Sequence, residues 1–256
     1  MLSHSVQQRD RAMTKQLQFY EQLAPVSPQR HQNWCIEKQP DYAYASHSNA
    51  VPLTAAEFAA AALEYTIVFL GSEDAPTPVV LLGLNADENL YLEDGRRWKA
   101  RYIPAFVRRY PFVFSRSEDG NTYTLCIDES FEGCNQEGRG QPLFDVTGAG
   151  TDYLNAMMKF LTSYQQQIAA TTAFCERLKQ LDLLEEMAAR FELPGGEKAQ
   201  VKGFMAVDRA KLTQLPADTL AELARNGALE LIYAHLLSMR NFAELLELRT
   251  GKKEGE

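Results

Sequence analysis

No apolar run in the 256-residue chain approaches the roughly 18–20 residues of a membrane-spanning helix, so no membrane span is expected. Positive charge is in deficit: 26 Lys and Arg stand against 34 Asp and Glu, a formal net charge of −8. Nucleic-acid-binding domains need a basic face, so the acidic balance argues against a nucleic-acid partner. Cysteine is scarce and unpatterned. Cys35, Cys126, Cys134 and Cys175 contain no CxxC pair, and a chain of this length can bury a core without disulfides. Cys126 and Cys134 lie eight apart across a Gly-containing loop, near enough in sequence for a bridge, yet all four read as reduced thiols. Cys126 and Cys175 sit inside apolar patterns and read as buried fillers. The N-terminus, MLSHSVQQRDRAMTKQLQFY, lacks the apolar h-region of a secretory signal, which makes the cytoplasm the expected compartment. HExxH, GxSxG and a Walker lysine are also missing.

What is present is ordinary globular material. Apolar residues make up 45% and charged residues 23%, which excludes collagen-like, mucin-like and wholly disordered chains. Residues 1–40 are Gln-rich and poor in aliphatics, and read as a poorly ordered N-terminal arm that Pro25 and Pro28 keep from forming a long helix. Tyr42 and Tyr44 share one face of an extended segment. Thr54-Ala-Ala-Glu57 is a capping box that opens an Ala-rich helix over 55–64. Buried strands are predicted at 66–70 and 79–84, with a short third at 90–92. A helix over 103–109 follows, then strands at 112–114 and 122–128 about an Asp119-Gly120-Asn121 turn. Residues 129–150 read as a long loop anchored by Leu143 and Phe144.

Apolar steps of three and four from Leu154 to Leu178 predict a helix over 152–180. Segments 189–193 and 199–204 flank Pro194-Gly195-Gly196 as a small second hairpin. Helices are expected over 208–215, 216–225 and 228–248, with Asn226-Gly227 as a left-handed C-cap. The fold class is therefore α+β: one mixed or antiparallel sheet of about five strands, helices packed around it, the second hairpin and a helical C-terminal part. Residues 41–249 read as a single domain and 250–256 as a disordered tail.

Candidate chemistry is thin. His31, Cys35 and His47 match no zinc spacing, so no metal is expected. Gly148-Ala-Gly150 precedes a helix but lacks a phosphate-binding lysine, so no nucleotide cofactor is expected. Cys126, Asp128 and His235 could form a polar cluster, but His235 lies on an apolar helix line, which favours the reading of a hydrogen-bonded core histidine. The most distinctive stretch is Trp98–Tyr110, where Trp98, Tyr102, Phe106 and Tyr110 recur every four residues among Arg101, Arg108 and Arg109. Arg with aromatics is the composition of an interface hot spot. The competing reading makes the aromatics a core face and pairs the arginines with acids such as Glu93 and Asp94. The binding candidates are Trp98, Arg101, Tyr102, Arg108, Arg109 and Tyr110.

The segments VPLTAAEF, YTIVFLG, the Glu88-Asn89 turn, RYIPAFVRRYPFVF, LCIDE, PLFD, GFMAVD and GALELIYAHLLSM follow one another in an order and spacing that resembles the SapC family of bacterial proteins. The resemblance runs from Val51 to Leu248, and the first forty residues add nothing to it. It implies an association with surface-layer protein loci, from which the family takes its name, but no agreed catalytic activity or cofactor. SapC-like genes often lie near outer-membrane TonB-dependent receptors and near halogenase-like or cupin-like oxygenases. Two functions follow as expectations. One is a cytoplasmic accessory or binding protein with a protein partner and no catalytic cofactor of its own, linked to the surface layer or to outer-membrane uptake. The alternative is an enzyme, or enzyme partner, acting with a neighbouring oxygenase. A homodimer through the 152–180 helix is a further expected use of its apolar stripe.

Overall fold

A computed structural model describes residues 18–37, 41–72, 74–117, 122–192 and 198–251. The sequence suggests one domain over 41–249, whereas the chain divides into two compact units, each built from separate stretches. The first draws its described residues from 18–37 and 109–161, the second from 41–108 and 162–251. Of the three crossings, that at Leu161–Thr162 falls within the helix Asp152–Gln180 and that at Arg108–Arg109 within the stretch RYIPAFVRRYPFVF, so no linker composition marks either.

The second unit carries a five-stranded antiparallel sheet in the order Leu184–Glu192, Lys198–Val207, Ile67–Leu70, Thr77–Leu81, Ala50–Pro52. The α+β class and the strand number match expectation, but the membership differs. The hairpin expected to stand apart supplies two of the five strands and is longer than its sequence suggests, while 112–128 belongs to the first unit. Its Pro194-Gly195-Gly196 turn and the Asp119-Gly120-Asn121 turn lie outside the described residues. Met187 pairs with Phe204 and Ala188 with Lys202, which makes Gly203 the extra residue of a bulge. Its φ of +72° is one that glycine adopts without strain. Leu92–Glu93 pairs with Arg97–Trp98 as a separate ribbon rather than joining the sheet.

Phe58, Tyr65, Ile67, Phe69, Val80, Leu82 and Phe204 are fully buried in this unit. The Thr54–Glu57 capping box is present, although the helix it opens is short: a 3-10 turn at Ala55–Glu57 and then Phe58–Ala61. The C-terminal helix is broken into Ala228–Ser238, a 3-10 turn at Met239–Asn241 and Phe242–Thr250. Gly227, at φ +81°, provides the left-handed stop after Ala217–Arg225. The helix Asp152–Gln180 has the predicted bounds. Its stripe of Leu154, Leu161, Tyr164, Thr171, Phe174, Cys175 and Leu178 is buried within the chain, which is the core use of such a stripe.

The first unit has a three-stranded antiparallel sheet in the order Leu23–Pro25, Tyr123–Asp128, Phe112–Arg116. A smaller sheet pairs Cys35–Ile36 with Cys134–Asn135 and Gln141–Pro142. Residues 23–36 are thus structural strands and a helical turn, where the sequence suggests an arm. The prolines explain the difference. Pro25 sits on an edge strand and Pro28 at the first position of the turn Pro28–His31, two places where a missing N–H costs little. Residues 1–17 and 252–256 lie outside the described residues. Ile36, Phe112, Ile127, Leu143, Leu154 and Leu161 form the core. Among the described residues, no helix is long and apolar enough to cross a membrane.

Candidate functional site

The Trp98–Arg108 stretch is held from below by two glutamates of the Ala-rich segment. Glu57 is buried. One of its carboxylate oxygens accepts from Tyr102 Oη and from the Ala105 amide, each at 2.7 Å, and the other accepts from Thr54. Glu64 accepts the Arg101 amide at 2.8 Å and the Tyr102 amide at 2.9 Å. Trp98 Nε1 donates to Tyr65 Oη at 2.7 Å, and Tyr65 Oη donates to the Tyr102 carbonyl. Burial, followed by the Glu57 charge, pushes the Tyr102 phenol up. These bonds fix the backbone that presents Arg101, because the buried Glu57 carboxylate would be left unpaired if the segment moved.

The six binding candidates differ in exposure. Arg101 and Arg108 are exposed, Tyr102 and Tyr110 are half-buried, and Trp98 and Arg109 are buried. Arg108 Nε donates to the Ile103 carbonyl at 2.8 Å, and its guanidinium lies 6.0 Å from the Tyr102 ring centroid. Arg109 and Tyr110 belong to the first unit. The Arg109 guanidinium lies 5.7 Å from the Tyr20 ring centroid, and at 1% exposure it is an interior cation that cannot meet a partner. The reading that pairs the arginines with Glu93 and Asp94 holds for Arg97, which bonds Glu93.

What the structure adds is a surface around Leu63. This leucine is 73% exposed. On one side of it lies an open groove of about 530 Å³ lined by Ala60, Leu63, Glu64, Arg101 and Tyr102. On the other is a depression of about 200 Å³ whose lining includes Leu63, Glu64, Tyr91, Lys99, Asn241 and Glu244. Both lie wholly within the second unit. The signal was present in the sequence: Phe58, Ala61 and Tyr65 make the buried stripe at helical spacing, and Leu63 falls on the opposite side of it.

Cys126, Asp128 and His235 are each occupied locally. The Cys126 thiol faces the Thr124 carbonyl, and burial raises its pKa. Asp128 accepts from the amides of Glu21, Gln22 and Ser130, from the Ser130 hydroxyl at 2.7 Å, and from Tyr110 Oη at 3.3 Å. Burial alone would raise its carboxyl, but these bonds hold it below the usual range. His235, in the second unit, accepts from the Val207 amide at 3.0 Å through Nε2 and donates to the Ile67 carbonyl at 2.9 Å through Nδ1. Burial depresses its pKa to about 4. A general base or nucleophile needs a free lone pair directed at a substrate, and these three direct theirs into the fold.

The remaining candidates resolve in the same way. His31 accepts the Ser27 amide through Nδ1 and bonds Glu129, which Arg30 also grips. Asp145 Oδ1 accepts from the Thr147 and Ala149 amides, so the loop before the long helix is closed on itself. All four cysteines are free thiols. Among the described residues, no three His, Cys, Asp or Glu side chains converge as a metal site.

Neither the curated proteins nor the solved structures yield a significant match to the chain. The family model for SapC matches residues 26–245, which takes in the capping box, Glu64, Arg101, the central sheet and His235, and the chain belongs to the SapC family.

Proposed function

We propose that this SapC-family chain is an accessory protein that acts from the cytoplasm and engages a protein partner through the Leu63 surface, in the service of a cell-surface layer or an outer-membrane uptake system. One observation carries the reading: a leucine 73% exposed at the junction of two depressions, beside the Arg101–Ala105 backbone that Glu64 and the buried Glu57 hold in place. Covering such a side chain contributes about 1–2 kcal/mol. The charges choose the occupant. The chain is acidic, at −8, yet Arg101 lines the groove and Lys99 the depression beside it. Among the described residues Arg101 makes no ion pair, and its guanidinium fits an incoming carboxylate through two parallel bonds. Glu244 borders only the smaller depression, so a partner's acidic group is directed to the Arg101 side. The fitting partner segment is a peptide that sets an apolar side chain beside Asp or Glu.

The test is affinity capture from the native host with the parent chain, Leu63→Asp and Arg101→Glu. Both positions are exposed, so both variants should melt within a few degrees of the parent. The expected result is loss of the same co-purifying protein from both. Folded variants that retain it would move the interface off this surface.

A further inference from the structure

The strand Leu184–Glu192 forms one edge of the five-stranded sheet, with Lys198–Val207 as its single neighbour among the described residues. It is nine residues long, against the five or six usual for a strand. Glu185, Glu186, Met187, Ala188 and Arg190 are exposed, so both of its faces meet solvent. An edge of this kind presents a row of unpaired N–H and C=O groups. Many edges are blunted by a bulge, but here the extra residue, Gly203, sits in the inner strand and the outer one runs without an insertion.

We propose that this edge pairs antiparallel with the same edge of a second copy, about a two-fold axis at Ala188, which joins two sheets into one of ten strands. Three constraints converge on that register. Alternate residues of an edge strand turn their N–H and C=O outward, and residues facing each other must be of the same kind. A two-fold axis therefore falls on a residue and not between two. Placing it on Ala188, the middle position of Leu184–Glu192, aligns all nine residues. The same placement sets Glu186 opposite the second copy's Arg190 and Arg190 opposite its Glu186, giving two complementary pairs on one face. An axis on Glu186 or on Arg190 would set like charges against each other, and an axis on Met187 or Ala189 would lose both pairs. Glu186 and Arg190 make no ion pair within the chain among the described residues, so both are available. The interface is isologous and closed, because pairing uses up the edge that makes it. It is separate from the Leu63 surface and does not depend on the function proposed there.

Sedimentation of the full chain over a concentration series, at low and high salt, tests the assembly. A reversible dimer that weakens with salt is expected. Glu186→Arg replaces both attractive pairs with repulsive ones and should weaken self-association about tenfold, as should Arg190→Glu. The double variant carrying both changes restores complementarity and should return to within about twofold of the parent. Hydrogen exchange should slow across 184–192 on dimerisation. A parent chain that stays monomeric at every concentration overturns the proposal. So does a dimer indifferent to either single reversal, or a double variant no stronger than the singles.

Discussion

The imidazole of His235 takes the place of a sheet hydrogen bond at Val207. Strands Ile67–Leu70 and Lys198–Val207 pair directly at Met205 and Phe69, and two residues further along Val207 would face Ile67. There the ladder is bridged by the helix Ala228–Ser238: His235 Nε2 accepts the Val207 amide, His235 Nδ1 donates to the Ile67 carbonyl, and Ser238 Oγ accepts the Ile67 amide at 3.0 Å. Because Nε2 accepts, the proton must sit on Nδ1, and the neutral ring is the only form that satisfies both strands.

Replacing His235 with Ala should therefore lower stability by about 3 kcal/mol, since it leaves a cavity and two buried backbone groups without partners. The pH dependence has a definite sign. The folded pKa of about 4 lies below the ordinary 6.5, so the unfolded chain binds the proton more readily. The stabilisation is complete above pH 6.5 and is lost as pH falls towards 4, by up to about 3 kcal/mol. Urea melts of the parent and the variant at about pH 7.5 and about pH 4.5 isolate this contribution, and the parent should lose more on acidification. Equal losses in the two proteins would remove the histidine from the account.

Arg108 and Arg109 are neighbours in sequence with opposite expected behaviour. Arg108→Glu changes an exposed residue and should shift the melting temperature by no more than a few degrees. Arg109→Glu buries an acid where a cation lies over Tyr20, and should cost about 3–5 kcal/mol or prevent folding. Thermal melts of the two single variants decide this. Similar melting points would show that Arg109 is not an interior cation.

Asp128 ties residues 21–22 to the end of strand Tyr123–Asp128 through their amides. Asp128→Ala should cost about 2–4 kcal/mol and loosen the Leu23–Pro25 strand, which pairs beside it. Its folded pKa is held below the ordinary carboxylate value, so its contribution persists above about pH 4 and fades below it. Hydrogen exchange at Ala24 and Val26 reads the local effect. Unchanged protection at both would show that the strand is held by other contacts.

Much of the secondary structure is legible from local chemistry. The capping box at Thr54–Glu57, the long helix Asp152–Gln180 and the stop at Gly227 all depend on residues close together in the chain. Periodicity could report them because their physics is local. The prolines at 25 and 28 misled for the same reason: a missing N–H reads as a break, and only the strand neighbour reveals that the N–H is not needed there. His235 shows the boundary case. Its place on an apolar helix line marks it as a core candidate, but the strands it bridges lie 28 and 168 residues away.

By itself, then, the sequence determined the fold class, the capping box at Thr54–Glu57, the long helix Asp152–Gln180, the stop at Gly227 and the SapC resemblance, all of which rest on residue types and short spacings. Tertiary structure decided which strands share a sheet, since pairing between Met205 and Phe69 leaves no periodic mark on either segment. It decided that Arg109 is interior while Arg108 meets water, because a change of one position turns a side chain from core to solvent. It also decided that Leu184–Glu192 is an edge and that two depressions meet at Leu63, because both depend on what packs alongside, and those neighbours come from distant parts of the chain.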